Sequence, residues 1–207
     1  MCEQEQCDGS VGFGGSPDES GETTLDAMVI DGTTMNAGAV ADLRRVKRAS
    51  AAARLVLERT SHTLLAGDQA TNFAIGMGLE PANLTTAHSH KLWADWRAAD
   101  CQPNYRENVV PDATTSCGPY KPAQARDGAS ALALSRAAAS RSSRERGVGR
   151  GSHDTIAMVT IDGGGNLAAG TSTNGASHKV GDERRACSRF GRVAPADCPA
   201  ARAAAVR

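Results

Sequence analysis

The stretch GSHDTIAMVTID, Gly151 to Asp162, sets His153 and Asp154 directly in front of a strand-like run that begins on Thr155. Its continuation decides the fold class. TIAMVTI (155–161) and NLAAGTSTN (166–174) are short strand candidates joined by DGGG, Asp162 to Gly165, and this order predicts a β-hairpin. Upstream, Ala123 to Arg150 is built from Ala, Ser, Arg and Gly, with Leu132 and Leu134 its only large apolar residues. Such a segment is expected to be mobile or at most a weak Ala-rich helix. A loose leader thus meets a stiff strand at Asp154-Thr155.

Further upstream the chain reads as a mixture of helix and strand. The opening CDGSVGFGGSPDESGETT is turn-rich, and Leu25 to Asp31 reads as a strand ending at Asp31-Gly32. From Asn36 to Thr60, Val40, Leu43, Val46, Leu55 and Leu57 recur among Ala and Arg, a spacing that predicts a helix. His62 to Leu65 reads as a short strand, and Asp68 as the cap of a helix ending near Gly78. Leu92 to Ala99 predicts a further helical turn or two. Cys101 to Pro122, with four prolines and two cysteines, reads as irregular. The final stretch from Gly181 has no helix or strand period.

Composition narrows the functional classes. The 207 residues suit one domain with a real core, and 23 basic against 23 acidic residues leave a net charge of 0. That balance offers no general attraction to nucleic acid or to an anionic membrane. Aromatic residues at 3% argue against base stacking, and no apolar run is long enough to span a bilayer. Cys2, Cys7, Cys101, Cys117, Cys187 and Cys198 form no paired Cys-x2-Cys knuckles, so three disulfides are expected rather than zinc. A bridge within the central irregular segment would close a loop of about 15 residues, worth on the order of 3 kcal/mol in the chain-entropy picture. The sequon Asn83-Leu84-Thr85 points the same way, toward a secretory route. MCEQEQCDGS carries no readable signal, and the expectation is that the chain begins late. His88 and His90 lack a nearby third ligand and read as solvated loop histidines. Gly12 to Gly15 and Asn174-Gly175 read first as turns.

A threonine hydroxyl becomes a nucleophile only when a base takes its proton. The α-amine of the same residue, which titrates at about 7.7 to 8, can do so, but only after the preceding peptide bond is broken. The hydroxyl can open that bond itself by attacking the preceding carbonyl, giving an ester that water then cleaves. Asp154-Thr155 is therefore a candidate self-cleavage site, although an acidic turn entering a strand gives the same short pattern.

Longer blocks add to this reading. MCEQEQCDGSVGFGGSPDESGETTLDAM (1–28), DGTTMNAGAVADLRRVK (31–47), CQPNY at 101, CGPYKP at 117, HDTIAMV at 153 and AAGTSTNG at 168 together resemble the glycosylasparaginases, lysosomal amidohydrolases of the N-terminal-nucleophile type. The resemblance implies an α/β fold, here an incomplete αββα sandwich. It also implies a precursor cut between Asp154 and Thr155 into α and β chains, a heterodimer that pairs into a heterotetramer. Thr155 would be the nucleophile and Thr173 a supporting hydroxyl. The substrate would be a small glycoasparagine whose side-chain amide joins asparagine to N-acetylglucosamine. Cys2 would pair with Cys7 and Cys101 with Cys117. No metal or organic cofactor is implied, because proton transfer and an oxyanion hole suffice for amide hydrolysis.

The resemblance divides the chain into an α-chain-like part, 1–154, the start of a β chain, 155–180, and a divergent tail expected to be disordered, 181–207. The family's Gly-Arg-Val-Gly-Asp-Ser-Pro block is broken up here into Val180-Gly181-Asp182 and Gly191-Arg192-Val193. Arg192 is the candidate for the substrate carboxylate and Asp182 for its amine. The later Thr-Gly-x-Gly-Asp block is missing, and the Ala/Arg/Cys/Pro tail is what a shifted reading frame in GC-rich coding sequence would give. An inert, truncated or frame-shifted fragment of such an enzyme is the alternative expectation.

Overall fold

The structure, a computed structural model, describes residues 1–123 and 155–181. Its helices are α1 (Cys2–Glu5), α2 (Ala49–Arg59), α3 (Gly67–Gly76) and α4 (Ala87–Ala98). Its strands are β1 (Leu25–Asp31), β2 (Asn36–Leu43), β3 (Leu64–Ala66), β4 (Val109–Val110), β5 (Lys121–Pro122), β6 (Ile156–Ile161) and β7 (Leu167–Thr173). A five-stranded sheet runs in the order β3-β2-β1-β7-β6, and β4 pairs with β5 in a separate two-stranded ribbon. The fold is a mixed α/β arrangement. The expected linker from 124 onward and the tail from 182 onward lie outside the described residues.

The two hairpins follow from their turns. Asp31 accepts hydrogen bonds from the Thr33 N–H at 2.9 Å and the Thr34 hydroxyl at 2.7 Å, and these bonds hold its carboxyl below the usual range. The chain reverses there, so β2 returns along β1 with Asp31 opposite Asn36. In the second hairpin Asp162 accepts from the backbone of Gly164 and Asn166, and Gly165 takes φ +84°, a conformation that a residue without Cβ adopts at little cost.

The helix expected over 36–60 is therefore two elements, β2 and then α2. Val40 and Leu43 are apolar at a spacing compatible with either element. Pairing with β1 decides for strand, a long-range contact that local periodicity does not carry. Asp68 stands in the first turn of α3, whose cap position is Ala66, and the helix stops at Gly76 rather than near Gly78. Helix α4 starts five residues earlier than expected. Thr86 accepts from the Ser89 N–H at 3.2 Å while the Ser89 hydroxyl accepts from the Thr86 N–H at 2.9 Å, and this reciprocal cap fixes its start. His88 and His90 are exposed, but on this helix rather than in a loop.

The core lies between β1–β2 and α2–α3. Leu25, Ala27, Val40, Leu43, Val46, Ala49, Ala52, Ala53, Val56, Ala70 and Ala74 are all buried in one cluster. Alanines on the buried face of α2 let the helix sit close to the sheet. At Gly38 a Cβ would lie 2.4 Å from the Ala53 carbonyl oxygen, so the closeness requires a residue without one. Residues 101–120 are irregular apart from β4, and Cys101–Cys117 bridges them with a Cα separation of 5.2 Å.

Candidate active site

Strand β6 pairs antiparallel with β7, Ile156 opposite Ser172, and β7 pairs with β1, Thr173 opposite Asp26. Extending the β6–β7 register by one residue brings Thr155 opposite Thr173. Directly opposed residues in antiparallel strands share a face. Thr155, Thr173 and Asp26 thus form one row across three strands. The Asp42 N–H donates to the Asp26 carboxylate at 2.8 Å and extends the row into β2. Ser172, one step along β7, lies on the other face of the sheet. Its hydroxyl donates to Glu3 at 2.6 Å, and Glu3 also accepts the Ser50 N–H and hydroxyl from the first turn of α2. The threonine row consequently occupies the face away from α2.

The two threonines sit in different surroundings. Thr155 is exposed, whereas Thr173 is 6% exposed and its hydroxyl accepts the Gly175 N–H at 2.9 Å. Just beyond Thr173 the chain is tied down at Asn174. The Asn174 N–H donates to the Ser10 carbonyl at 2.7 Å, its side-chain amide donates to the Gly12 carbonyl, and its own carbonyl accepts the buried Lys179 ammonium at 2.9 Å. Asn174 is fully buried, so Asn174-Gly175 is a turn and an anchor together. The glycine-rich loop is equally constrained. A Cβ at Gly15 would fall 2.1 Å from the Asn174 amide oxygen. Asp8 accepts the Ser10 hydroxyl and N–H, and those two bonds hold its carboxyl below the ordinary value.

Of the residues singled out in the sequence, the structure brings together Thr155 and Thr173. It also pairs Cys2 with Cys7 and Cys101 with Cys117. Asp154, Asp182, Arg192, Cys187 and Cys198 lie outside the described residues. Asp26, Glu3 and Lys179 escaped the sequence reading, and Asn174 was read there only as a turn residue. Glu3 lies 169 positions from the serine it holds, a separation no local pattern reveals. A cavity of about 310 Å³, bordered by Glu19, Trp96, Arg106 and Tyr120, lies beside the Cys101–Cys117 bridge and is lined by none of the row residues. No group of three metal-ligating side chains occurs among the described residues, and no helix among them is long and apolar enough to cross a membrane.

A putative N(4)-(beta-N-acetylglucosaminyl)-L-asparaginase of Drosophila melanogaster is 54% identical over 179 residues, 86% of this chain and 44% of the relative. The N(4)-(beta-N-acetylglucosaminyl)-L-asparaginases of rat and mouse are 52% and 53% identical over 180 residues, 87% of this chain and 49% of theirs. The chain spans about half the length of these curated relatives. The sequence pattern of the asparaginase family matches residues 1–204, and the chain belongs to that family.

Proposed function

We propose that this chain carries the nucleophile strand of an N-terminal-threonine amidohydrolase acting on glycoasparagines. The observation that supports it most is the row in which Thr155, the residue just before β6, falls opposite the buried Thr173 when the β6–β7 register is extended by one. In this reading the Thr155 hydroxyl attacks the Asp154 carbonyl, the peptide bond becomes an ester, and water opens it to leave Thr155 with a free α-amine. That amine then takes the hydroxyl proton as the oxygen attacks the side-chain amide carbon of the substrate. The proton passes to the departing nitrogen, a glycosylamine leaves, and water hydrolyses the acyl ester to release aspartate. Thr173 supports the reacting hydroxyl from the neighbouring strand.

The remaining assignments belong to the same proposal. Residues 1–154 form the α part, 155–180 begin the β part, and 181–207 are a divergent tail. Arg192 holds the substrate carboxylate and Asp182 its amine. The fold is an αββα sandwich, the assembly an α/β heterodimer pairing into a heterotetramer, and the location the lysosome. Relatives bearing the glycosylasparaginase name support the substrate class.

The test is a terminus. Purified chain held for days at neutral pH should yield a fragment whose first residue is Thr155, read by Edman degradation or intact mass. An uncut Asp154-Thr155 bond in material that hydrolyses a glycoasparagine would overturn the mechanism.

A further inference from the structure

We infer that His178 is a positioning residue for Thr173, acting through a ring stack on Trp96. The inference rests on the reading of Thr173 as the hydroxyl that supports the nucleophile. His178 and Trp96 lie face to face, ring centroids 4.7 Å apart and planes 4° from parallel. Each ring is held from its own side. The Trp96 indole N–H donates to the Pro103 carbonyl at 2.7 Å, and the Trp96 carbonyl accepts the N–H of Cys101, a member of the Cys101–Cys117 bridge. The His178 N–H donates to the Pro17 carbonyl at 2.6 Å, and the Lys179 carbonyl accepts the Glu19 N–H at 2.8 Å. The stack therefore joins the disulfide-bridged segment to the turn that follows β7.

That turn sets Thr173. Lys179, next to the stacked ring, delivers its ammonium to the Asn174 carbonyl, one residue past Thr173. The Gly175 N–H closes on the Thr173 hydroxyl itself. His178 holds φ at +60°, a left-handed conformation uncommon for a residue other than glycine and one that persists where surrounding contacts enforce it. The imidazole presents its face to Trp96, and its buried Nδ1 meets no hydrogen-bond partner among the described residues. A flat apolar ring should therefore replace it, whereas a side chain without a ring face should not.

The experiment compares the full chain with His178→Phe, His178→Leu and His178→Ala by hydrogen exchange followed at single amides. In the Ala and Leu variants the Asn174 and Gly175 amides should exchange about 2- to 10-fold faster, the range an aromatic pair supports. The β1–β2 ladder should keep its protection, and His178→Phe should restore both amides. Should Ala fail to fold, Leu supplies the same comparison at nearly constant volume. Unchanged exchange at Asn174 and Gly175, wild-type behaviour of Leu, no restoration by Phe, or loss spread evenly over β1–β2 would each overturn the assignment. Where the wild-type chain cleaves itself, kcat on a glycoasparagine should fall in the Ala and Leu variants with KM unchanged. A wild-type chain that stays uncut counts against the proposed function, and the exchange result still decides the role of His178.

Discussion

Strands β2 and β6 lie on opposite sides of the same β1–β7 pair, yet they are held in different ways. In β2, Val40 and Leu43 are fully buried beneath α2 and α3. Every residue of β6 is exposed, with Met158, Val159 and Ile161 at 68%, 71% and 69%. One strand is placed by burial and the other by hydrogen bonding to β7. The strand bearing the candidate nucleophile thus takes its position from the backbone ladder, and the ladder from the buried polar contacts that fix Ser172, Thr173 and Asn174. Among the described residues, a row of side chains across a sheet is thus positioned without a core beneath each of its members.

The contrast is sharpest at Thr155. Replacing it with Ala should abolish the new terminus and lower hydrolysis by on the order of 10⁴-fold or more, as loss of a nucleophile does, with the melting temperature nearly unchanged because the side chain is exposed. Mass analysis and a glycoasparagine assay on the same sample check both halves.

Truncation tests the strands against each other. Leu43→Ala should cost about 2–5 kcal/mol in denaturant unfolding, whereas Val159→Ala should stay within about 0.5 kcal/mol. Equal losses would show that β6 is packed after all. Between them falls Glu3→Gln, which removes the charge from a carboxylate holding Ser172 and Ser50 and should cost about 1–3 kcal/mol in the same measurement.

A further effect concerns acid. Burial, and then the neighbouring Lys179 charge, push His178 from its ordinary 6.5 down to about 4. The unfolded chain therefore takes up this proton first as pH falls. Stability that His178 contributes as a neutral ring is complete above pH 6.5 and is lost as pH drops through that interval to about 4. Melting curves across the interval should slope less in His178→Phe than in the wild type, and equal slopes would refute the point.

Much of this was legible in the residues. The β6–β7 hairpin and β1 carry their own turn chemistry, with Asp162, Gly165 and Asp31 marking the reversals. The 36–60 stretch was not legible, because a run of alanines with scattered Val and Leu fits either period and only the β1 partner separates β2 from α2. The site divides in the same way. Thr155 and Thr173 stand in recognisable blocks, but their opposition is a matter of register.

By itself, then, the sequence determined the β6–β7 hairpin and strand β1, and it singled out Thr155 and Thr173 as candidates. These follow from turn residues, residue type and extended blocks, which act over short spans of chain. Tertiary structure alone decided that Asp26 joins the threonine row, that Glu3 reaches Ser172, and that His178 rests on Trp96. Each of those contacts links residues far apart along the chain, and only folding brings them within reach.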